Sequence, residues 1–372
     1  MTWYVACLSR DLGGGRWTGL ARAQRPLART VAGTPLALFR DGRGRAVALV
    51  DRCPHRNVPL SCGTVGDGLL QCCYHGWRFD GDGACREVPG LTGDRPDRRG
   101  RRATPLPTAE HDGFVWARTG PVPGTGGTVG GPTGTGTGDN GTGDNGTGDA
   151  DAHGPYRFPY VGQAGYSTVY KHKRFAAGLH ACLENTLDVP HTAFLHGGLF
   201  RGGRPPTEIE VVVRQTAAGV EAEYVGEPRP EGLAGRILAP EGGVVSHVDR
   251  FVLPSIAQVE YRLGENHLIN TAAFTPVGER ETVMHAAITF HLRLPHGPVR
   301  AAITPVANRI LGQDSAILSR QAATIARFGG EHFASTELDV LGQYIGKLLR
   351  QQERGEAPSA GLEGERRFRM RV

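Results

Sequence analysis

Cysteine and histidine lie close together in two segments of the chain, and both residue types are common metal ligands. Cys53 precedes His55 by two positions, Cys72 precedes His75 by three, and sixteen residues separate the two pairs. Two thiolates and two neutral imidazoles can hold a [2Fe-2S] cluster, with the thiolates on one iron and the imidazoles on the other. The spacing therefore predicts an electron-transfer centre to which each segment contributes one cysteine and one histidine.

Two alternatives stay open when spacing alone is considered. A structural zinc site also uses two cysteines and two histidines, but it usually pairs like with like, whereas each pair here is mixed. The other alternative concerns the second segment, because Cys73 lies two positions before His75, as Cys53 lies two positions before His55. Spacing thus does not choose between Cys72 and Cys73.

A second group of metal-ligand residues lies in the sequence ENTLDVPHTAFLH, residues 184–196. Asp188 and His191 are three positions apart and would share one face of a helix. His196 follows five positions later, so a turn or a helix end is needed to bring it to the same point. Two imidazoles and one carboxylate form the facial triad of mononuclear iron(II) enzymes, which leaves positions open for dioxygen.

Short strands must position the first group. From Trp3 to about Gly120 the apolar runs PLALFR, AVALVD, LLQCCY and GFVWAR are separated by turns rich in glycine and aspartate, which is typical of antiparallel strands. We predict an all-β domain over residues 1–120. Residues 121–154 contain a GTGDN repeat and almost no apolar side chains, so they are predicted to form a disordered insert.

The remaining residues, 155–372, are predicted to form an α+β domain. Helical spacing covers residues 175–196, several strand-like runs lie between Glu208 and Leu294, and two closing helices are expected over Ala302–Phe328 and Thr336–Arg354. An antiparallel sheet flanked by helices accounts for this order.

The composition sets limits on the class of protein. The chain has 372 residues and a net charge of +5, and its arginine clusters are expected to be solvated surface and not a nucleic-acid interface. The start lacks a secretion signal and no apolar run could span a bilayer. Five of the seven cysteines fall between residues 53 and 85. Cysteines clustered in this way predict thiolate ligands in a cytoplasmic protein without a membrane span.

The stretch CPHRNVPLSCGTVGDGLLQCCYHGWRFDGDGACREVPG resembles the Rieske domain of Rieske non-heme iron oxygenases, whose second loop usually contains C-P-Y-H-G-W. The resemblance implies a [2Fe-2S] cluster bound by Cys53, His55, Cys72 and His75. It places Cys73 where the family has proline. Cys62 and Cys85 are then expected to be small core residues.

The stretch ENTLDVPHTAFLH resembles the second motif of the same family, in the form of its vanillate demethylase-like and chlorophyllide oxygenase-like members. The resemblance implies a helix-grip-like catalytic domain with mononuclear Fe(II) held by His191 and His196. It also implies a catalytic role for Asn185, and for Asp188 as a bridge to His75 of a neighbouring subunit in a homotrimer. The third iron ligand is expected to be Asp314, with Glu331 and Asp339 as the other candidates.

The predicted function is that of a terminal oxygenase, or alpha subunit. It would use dioxygen, and electrons from a separate NAD(P)H-dependent reductase or ferredoxin, to hydroxylate or oxidatively demethylate a small cyclic or aromatic molecule. Ring cis-dihydroxylation and oxidative cyclisation are alternative reactions. An alternative of another class is a Rieske electron carrier whose second domain binds a ligand but no iron. The sequence does not indicate which substrate is bound.

Overall fold

The computed structural model describes residues 1–13, 24–92, 100–120, 154–197, 207–228, 245–356 and 365–371. The predicted insert lies outside the described residues, apart from Gly154, so its disorder stays a prediction. No helix in the described part of the chain is long and apolar enough to cross a lipid bilayer.

The N-terminal half consists of strands in three antiparallel sheets, with the orders β1-β11-β10, β2-β3-β4-β9 and β5-β6-β7-β8. These strands are β1 (Thr2–Leu8), β2 (Leu27–Val31), β3 (Thr34–Arg40), β4 (Ala46–Val50), β5 (Thr64–Gly66), β6 (Leu69–Gln71), β7 (Arg78–Phe79), β8 (Cys85–Glu87), β9 (Pro105–Leu106), β10 (Thr108–His111) and β11 (Phe114–Thr119).

Strand β3 is central because it is buried on both faces. Leu36 and Leu38 pack in one core cluster, while Ala37 and Phe39 pack in the cluster that also contains Cys53 and Cys72. A strand that is buried on both faces needs apolar residues at consecutive positions, as β3 has over residues 36–39.

Tight hairpins connect the strands that lead into the first metal-ligand group. Asp67 and Gly68 both have positive φ, 53° and 73°, at the turn between β5 and β6, as a two-residue type I′ hairpin requires. A Cβ on Gly68 would lie 2.0 Å from the backbone nitrogen of Gly42, so no larger residue fits there. This hairpin fixes where β6 delivers Cys72.

The C-terminal half is one eight-stranded antiparallel sheet with the order β12-β18-β17-β16-β15-β14-β13-β19. Its strands are β12 (Ser167–Phe175), β13 (Glu208–Thr216), β14 (Gly219–Val225), β15 (Ser246–Val252), β16 (Ile256–Leu263), β17 (Asn266–Gly278), β18 (Glu281–His291) and β19 (Arg366–Arg371). Among the described residues of this half, the helices are α1 (Leu179–Thr186), α2 (His191–Leu195), α3 (His296–Phe328) and α4 (Gly342–Glu353). This is the predicted α+β architecture, and the fold class is confirmed.

The helices cover one side of this sheet, which we call the inner face. Ala257 and Ala272 lie on it and share a core cluster with Leu183 of α1 and Ile345 of α4. The outer face, with Ile256 and Ala273, packs on the N-terminal half. Side chains alternate between the two faces along a strand. The members of these clusters therefore identify which residues of each strand lie on the inner face.

Two local predictions differ from the structure. The segment 175–196 is two short helices and not one, since the chain leaves helical geometry between Leu187 and Pro190. The arginine-rich tail RRFRMR is strand β19, which pairs with β13 and buries Met370. Its arginines pair with Glu208 and Glu210 of β13, so an arginine-rich segment becomes an edge strand.

His285 is buried between the two halves of the molecule. It is 5% exposed, its ring lies 6.3 Å from that of Phe114, and its Nδ1 has no hydrogen-bond partner in the described part of the chain. Burial, with smaller contributions from His172 and Arg29, lowers the pKa of His285 to about 3. The folded protein therefore holds this imidazole in its neutral form.

We expect His285 to make the protein less stable in acid. Between pH 3 and about 6.5 the unfolded chain protonates this histidine and the folded protein does not. The free energy of unfolding therefore keeps the full contribution of neutral His285 above about pH 6.5 and loses it progressively as the pH falls. Urea unfolding at pH 7.5 and 5.0 measures the effect. Between these two pH values, the free energy of unfolding of His285→Leu should fall by about 2 kcal/mol less than that of the wild type. The control His332→Leu, at an exposed position, should fall by as much as the wild type. Equal losses in all three proteins would contradict the expectation.

Candidate functional site: two metal-ligand groups

The two loops of the first group have the same backbone hydrogen bonds. The amide of Cys53 donates to the Val58 carbonyl at 2.9 Å, and the Cys53 carbonyl accepts from the Asn57 amide at 2.9 Å. The second loop repeats this pattern from Cys72, whose amide donates to the Trp77 carbonyl and whose carbonyl accepts from the Gly76 amide, at 2.8 and 3.1 Å.

This repeated pattern makes Cys72 the counterpart of Cys53. Asn57 and Gly76, each four residues after its cysteine, both have positive φ, 61° and 70°. Cys53 and Cys72 are each 2% exposed, whereas Cys73, in the position of Pro54, is exposed. The geometry therefore favours Cys72 over Cys73 as the inward-facing thiol.

The histidines of the two loops lie side by side near the surface. The ring centroids of His55 and His75 are 4.4 Å apart, and His55 stacks on Trp77 at 4.6 Å. His75 and the neighbouring Tyr74 are exposed. Buried thiols below two outer imidazoles match the donor set of a cluster whose two irons have different ligands.

The remaining cysteines of this region differ from one another. Cys85 is buried, as expected for a small core residue, but Cys62 is exposed, so the expectation for Cys62 is wrong. It lies in a 3-10 turn, Leu60–Cys62, in which only Leu60 is buried.

The second group converges on one point. His191 Nε2 lies 3.3 Å from His196 Nε2, and Asp314 Oδ1 lies 3.8 Å and 3.1 Å from these two nitrogens. His191 begins α2, His196 follows its end, and Asp314 lies in the middle of α3. In the described part of the chain, this is the one set of three potential ligands that meets within 4.8 Å.

Each imidazole of this group is oriented by an oxygen behind it. Asp188 Oδ2 lies 3.2 Å from His191 Nδ1, and Gln313 Oε1 lies 3.0 Å from His196 Nδ1. Because both oxygens are acceptors, each Nδ1 carries the proton and each Nε2 presents a lone pair. Asp188 also accepts from the His191 backbone amide at 3.3 Å, so this contact comes from a turn before α2 and not from a shared helix face.

The second group fits a metal ion. Asp314 is 8% exposed, and its Oδ1 has no hydrogen-bond partner among the described residues. Two nitrogen lone pairs and a carboxylate oxygen that face one another repel unless a positive charge lies between them. Burial lowers the pKa of His196, but Asp314 and Gln313 outweigh burial and raise it, which shows that the environment favours positive charge. Ligands at about 2.1 Å in neighbouring coordination positions lie about 3 Å apart, and the three atoms here, 3.1 to 3.8 Å apart, come near that spacing.

The other predicted residues lie outside the converging set. Asn185 is half-buried on α1, and its side chain forms no hydrogen bond with the described residues. Glu331 and Asp339 are exposed, and Asp339 accepts a hydrogen bond from the Thr336 amide. Gln313 is the residue that sequence reasoning missed. Its position beside Asp314 was the available signal, but its contact with His196 exists only in the folded chain.

Comparison with known proteins covers both halves of the chain. Residues 2–103 match the model of the Rieske [2Fe-2S] domain, and residues 175–351 match that of the vanillate O-demethylase oxygenase C-terminal domain. The chain belongs to the Rieske non-heme iron oxygenases. Rieske domains carry a [2Fe-2S] cluster, and the alpha subunits of these oxygenases carry a mononuclear iron.

Individual relatives agree with the family assignment. The oxygenase component of dicamba O-demethylase from Stenotrophomonas maltophilia is 43% identical over 114 residues, 31% of this chain and 30% of the relative. Chlorophyllide a oxygenase from Chlamydomonas reinhardtii is 32% identical over 173 residues, 46% of this chain and 22% of the relative. The matched segments thus span less than a third of these relatives' own length.

Solved structures show the same fold over almost the whole chain. Dicamba monooxygenase bound to dicamba superposes with a TM-score of 0.72 and 22% identity, covering 95% of this chain and 97% of the other. NdmA of Pseudomonas putida CBB5 with caffeine gives a TM-score of 0.69 and 21% identity, covering 95% and 90%.

The contact between Gln313 and His196 predicts a role in metal retention. Gln313→Leu removes the acceptor that holds His196 Nδ1, and we expect it to weaken affinity for the mononuclear iron about 10-fold to 100-fold. Gln313→Glu keeps an acceptor oxygen and should retain the iron. Chelator titration followed by iron analysis measures the affinity, with the cluster absorbance as an internal reference. Equal iron retention in the leucine variant and the wild type would contradict this role.

Proposed function

We propose that His191, His196 and Asp314 hold the mononuclear iron and that Cys53, His55, Cys72 and His75 hold the cluster. The first set is supported by geometry, because the unprotonated Nε2 atoms of both histidines face the buried Oδ1 of Asp314, which accepts no hydrogen bond from the described residues. The identical hydrogen-bond patterns of the two loops support the second. We further propose the domain boundaries 1–120 and 155–372, with the insert between them.

The function that this site supports best is that of a terminal oxygenase. The chain would hydroxylate or oxidatively demethylate a small cyclic or aromatic molecule, with dioxygen and with electrons from a separate NAD(P)H-dependent reductase or ferredoxin. The facial arrangement of two histidines and one carboxylate carries this proposal, because it leaves metal positions open. When bound, the cluster supplies single electrons and the iron activates dioxygen.

The protein's own residues hold these groups in place and shape the site. Asp188 and Gln313 fix the tautomer of the two histidines, so both nitrogens that face the metal stay unprotonated. Leu187 and Val189, on either side of Asp188, are buried in the core of the sheet and helices. This apolar packing anchors the ligand loop on the core and so keeps the two imidazoles in position.

We propose a homotrimer in which His75 of one copy approaches Asp188 of the next. His75 is exposed beside Tyr74, whose side chain is 62% exposed, and Asp188 is 31% exposed near Phe194, which is 90% exposed. Exposed aromatic residues beside both metal-ligand groups are suited to an interface between copies. The oligomeric state can be measured by light scattering, with Phe194→Asp as the variant expected to dissociate the assembly.

Asp188→Asn should separate metal binding from turnover. The amide keeps the size of the side chain and an acceptor oxygen for His191, but it loses the charge that would face His75 of the next copy. We expect about three irons per chain to be retained, while turnover falls roughly 10-fold to 100-fold or more. Anaerobic analysis of iron and of cluster absorbance, followed by the rate of cluster oxidation, tests this. Full activity in the variant would contradict contact between subunits at Asp188.

A cytoplasmic location also belongs to this proposal. None of the seven cysteines, all of which lie in the described part of the chain, forms a disulfide, which is typical of proteins in a reducing compartment.

Reconstitution with a surrogate reductase tests the function as a whole. The holoenzyme is given a metabolite extract under labelled dioxygen, and products are screened by mass for one or two added oxygen atoms. Oxidative demethylation is detected instead by loss of CH2 together with release of formaldehyde, because the oxygen atom leaves with the methyl carbon. Two labelled atoms in one product would indicate dihydroxylation, and loss of hydrogen without label would indicate cyclisation. About two irons per chain, with no labelled product, would instead support the electron carrier.

A further inference from the structure

A row of polar side chains crosses the inner face of the eight-stranded sheet, outside both metal-ligand groups. Tyr224, His247 and Tyr261 are cross-strand neighbours on β14, β15 and β16. The imidazole lies between the two phenol rings, with centroid distances of 4.6 and 4.2 Å. We call this set, together with Asp249, the polar row.

Both nitrogens of His247 are already used. Nδ1 lies 2.5 Å from Glu227 Oε2, and Nε2 lies 3.0 Å from Asp249 Oδ1. Burial lowers the pKa of His247, but Asp249 and Glu227 outweigh it and raise that pKa to about 10, so the imidazole is charged and both N–H groups donate to carboxylates. His247 therefore offers no free donor to a ligand, although it is the one cation of the row.

Two buried oxygens on the same face can each accept a further hydrogen bond. The hydroxyl of Tyr224, a residue that is 1% exposed, donates to Asp249 and so acts to lower the pKa of that carboxyl, which leaves the oxygen lone pairs of Tyr224 as acceptors. Oδ1 of Asn270 on β17 has no hydrogen-bond partner among the described residues. Asn270 pairs with Val259, which in turn pairs with Asp249, so it continues the polar row by one strand. A buried polar atom without a partner destabilises the folded protein, and a bound molecule that donates to it removes this destabilisation.

The polar row lies where two core clusters meet on the inner face. Tyr224 packs in the same cluster as Leu187, Val189 and Leu318, which flank the proposed iron ligands in sequence. Tyr261 and Leu268 pack in the second cluster, at the start of α3. At this boundary the inner-face side chains of Val259, Tyr261, Leu268 and Ile288 are only half-buried. Apolar and aromatic surface is therefore free beside these two acceptor oxygens.

We propose that the polar row and Asn270 bind the substrate by a hydroxyl or amine group on an uncharged ring, and that they reject a ring carboxylate. This inference rests on the proposed oxygenase function and assigns a substrate class to it. The free polar atoms are acceptors that lie beside the Asp249 carboxylate. A donor on the ligand satisfies them, whereas a second carboxylate adds like charge in a buried place. The half-buried apolar side chains would contact the ring.

Four ring compounds of the same shape test the assignment on the holoenzyme under anaerobic conditions. They are p-cresol, p-toluidine, toluene and p-toluate, with dissociation constants measured by titration calorimetry. We expect p-cresol and p-toluidine to bind at least about tenfold more tightly than p-toluate. Tyr224→Phe and Asn270→Leu should each weaken p-cresol binding roughly threefold to tenfold, the effect of one hydrogen bond, and should leave toluene binding unchanged.

Tyr156→Phe is the matched control. Its hydroxyl accepts a hydrogen bond from Gln258 at 2.8 Å on the outer face, so p-cresol binding should stay as in the wild type. Tighter binding of p-toluate than of p-cresol overturns the inference, as does binding of none of the four, or an equal loss for toluene and p-cresol in Tyr224→Phe. The iron content of the same samples distinguishes failure of the proposed oxygenase function from failure of the proposed substrate class. Low iron counts against the oxygenase, while a preference for p-toluate at full iron overturns only the substrate class.

Discussion

Replacing Asp314 with alanine is expected to remove the mononuclear iron and abolish turnover while the [2Fe-2S] cluster stays intact. The carboxylate lies 3.1 Å and 3.8 Å from the two Nε2 atoms, and its Oδ1 has no other use in the described part of the protein. Iron should fall from about three to about two per chain. Elemental analysis and the cluster absorbance measure the two centres separately.

The fold itself should tolerate this substitution. Asp314 is a buried carboxylate whose Oδ1 accepts no hydrogen bond from the described residues, so alanine removes an uncompensated polar group. Asp339→Ala is a suitable control, since Asp339 is exposed and caps a turn at Thr336. Retention of about three irons in Asp314→Ala, or loss of iron in Asp339→Ala, would move the third ligand elsewhere.

Cys72→Ala is expected to eliminate the Rieske cluster, whereas Cys73→Pro should keep it. Cys72 is buried and has the same pattern of backbone hydrogen bonds as Cys53, while Cys73 is exposed and occupies the position of Pro54 in the other loop. Loss of one thiolate leaves an iron with an incomplete ligand set. Iron should then fall from about three to about one per chain, and the visible and EPR spectra of the cluster should disappear.

The opposite result is equally measurable. If Cys73→Pro loses the cluster spectrum and Cys72→Ala keeps it, the assignment of the two thiols is wrong. Cys62→Ala serves as a second control, because Cys62 is an exposed thiol in the same region. It should retain the full spectrum.

Local chemistry in the sequence was enough to predict most elements. Alternating apolar runs gave the strands between Glu208 and Leu294, and the observed strands there run from Glu208 to His291. The expected helix over Ala302–Phe328 begins earlier, at His296, and ends at Phe328 as predicted. Strand β19 was missed because it is charged along its length, and only its pairing with the glutamates of β13 makes it a strand.

Some residues of the candidate site could likewise be predicted from local sequence, and others could not. Cys53, His55 and His75 could be chosen from the sequence because each loop is a contiguous segment with a fixed spacing, but spacing left Cys72 and Cys73 as alternatives. The same holds for Asp188, His191 and His196. Asp314 was suggested only by resemblance, since more than a hundred residues separate it from the histidines.

The sequence by itself determined the residue types, their spacing within each loop and the family to which they point. The tertiary structure alone decided which distant groups meet. It brought Asp314 and Gln313 to His196, made Cys72 the counterpart of Cys53, and placed Tyr224, His247 and Asn270 on one face of the sheet, on β14, β15 and β17. The physical reason is that spacing in a loop follows from local backbone geometry, whereas contacts between distant segments depend on strand register and helix packing, which the whole core fixes together.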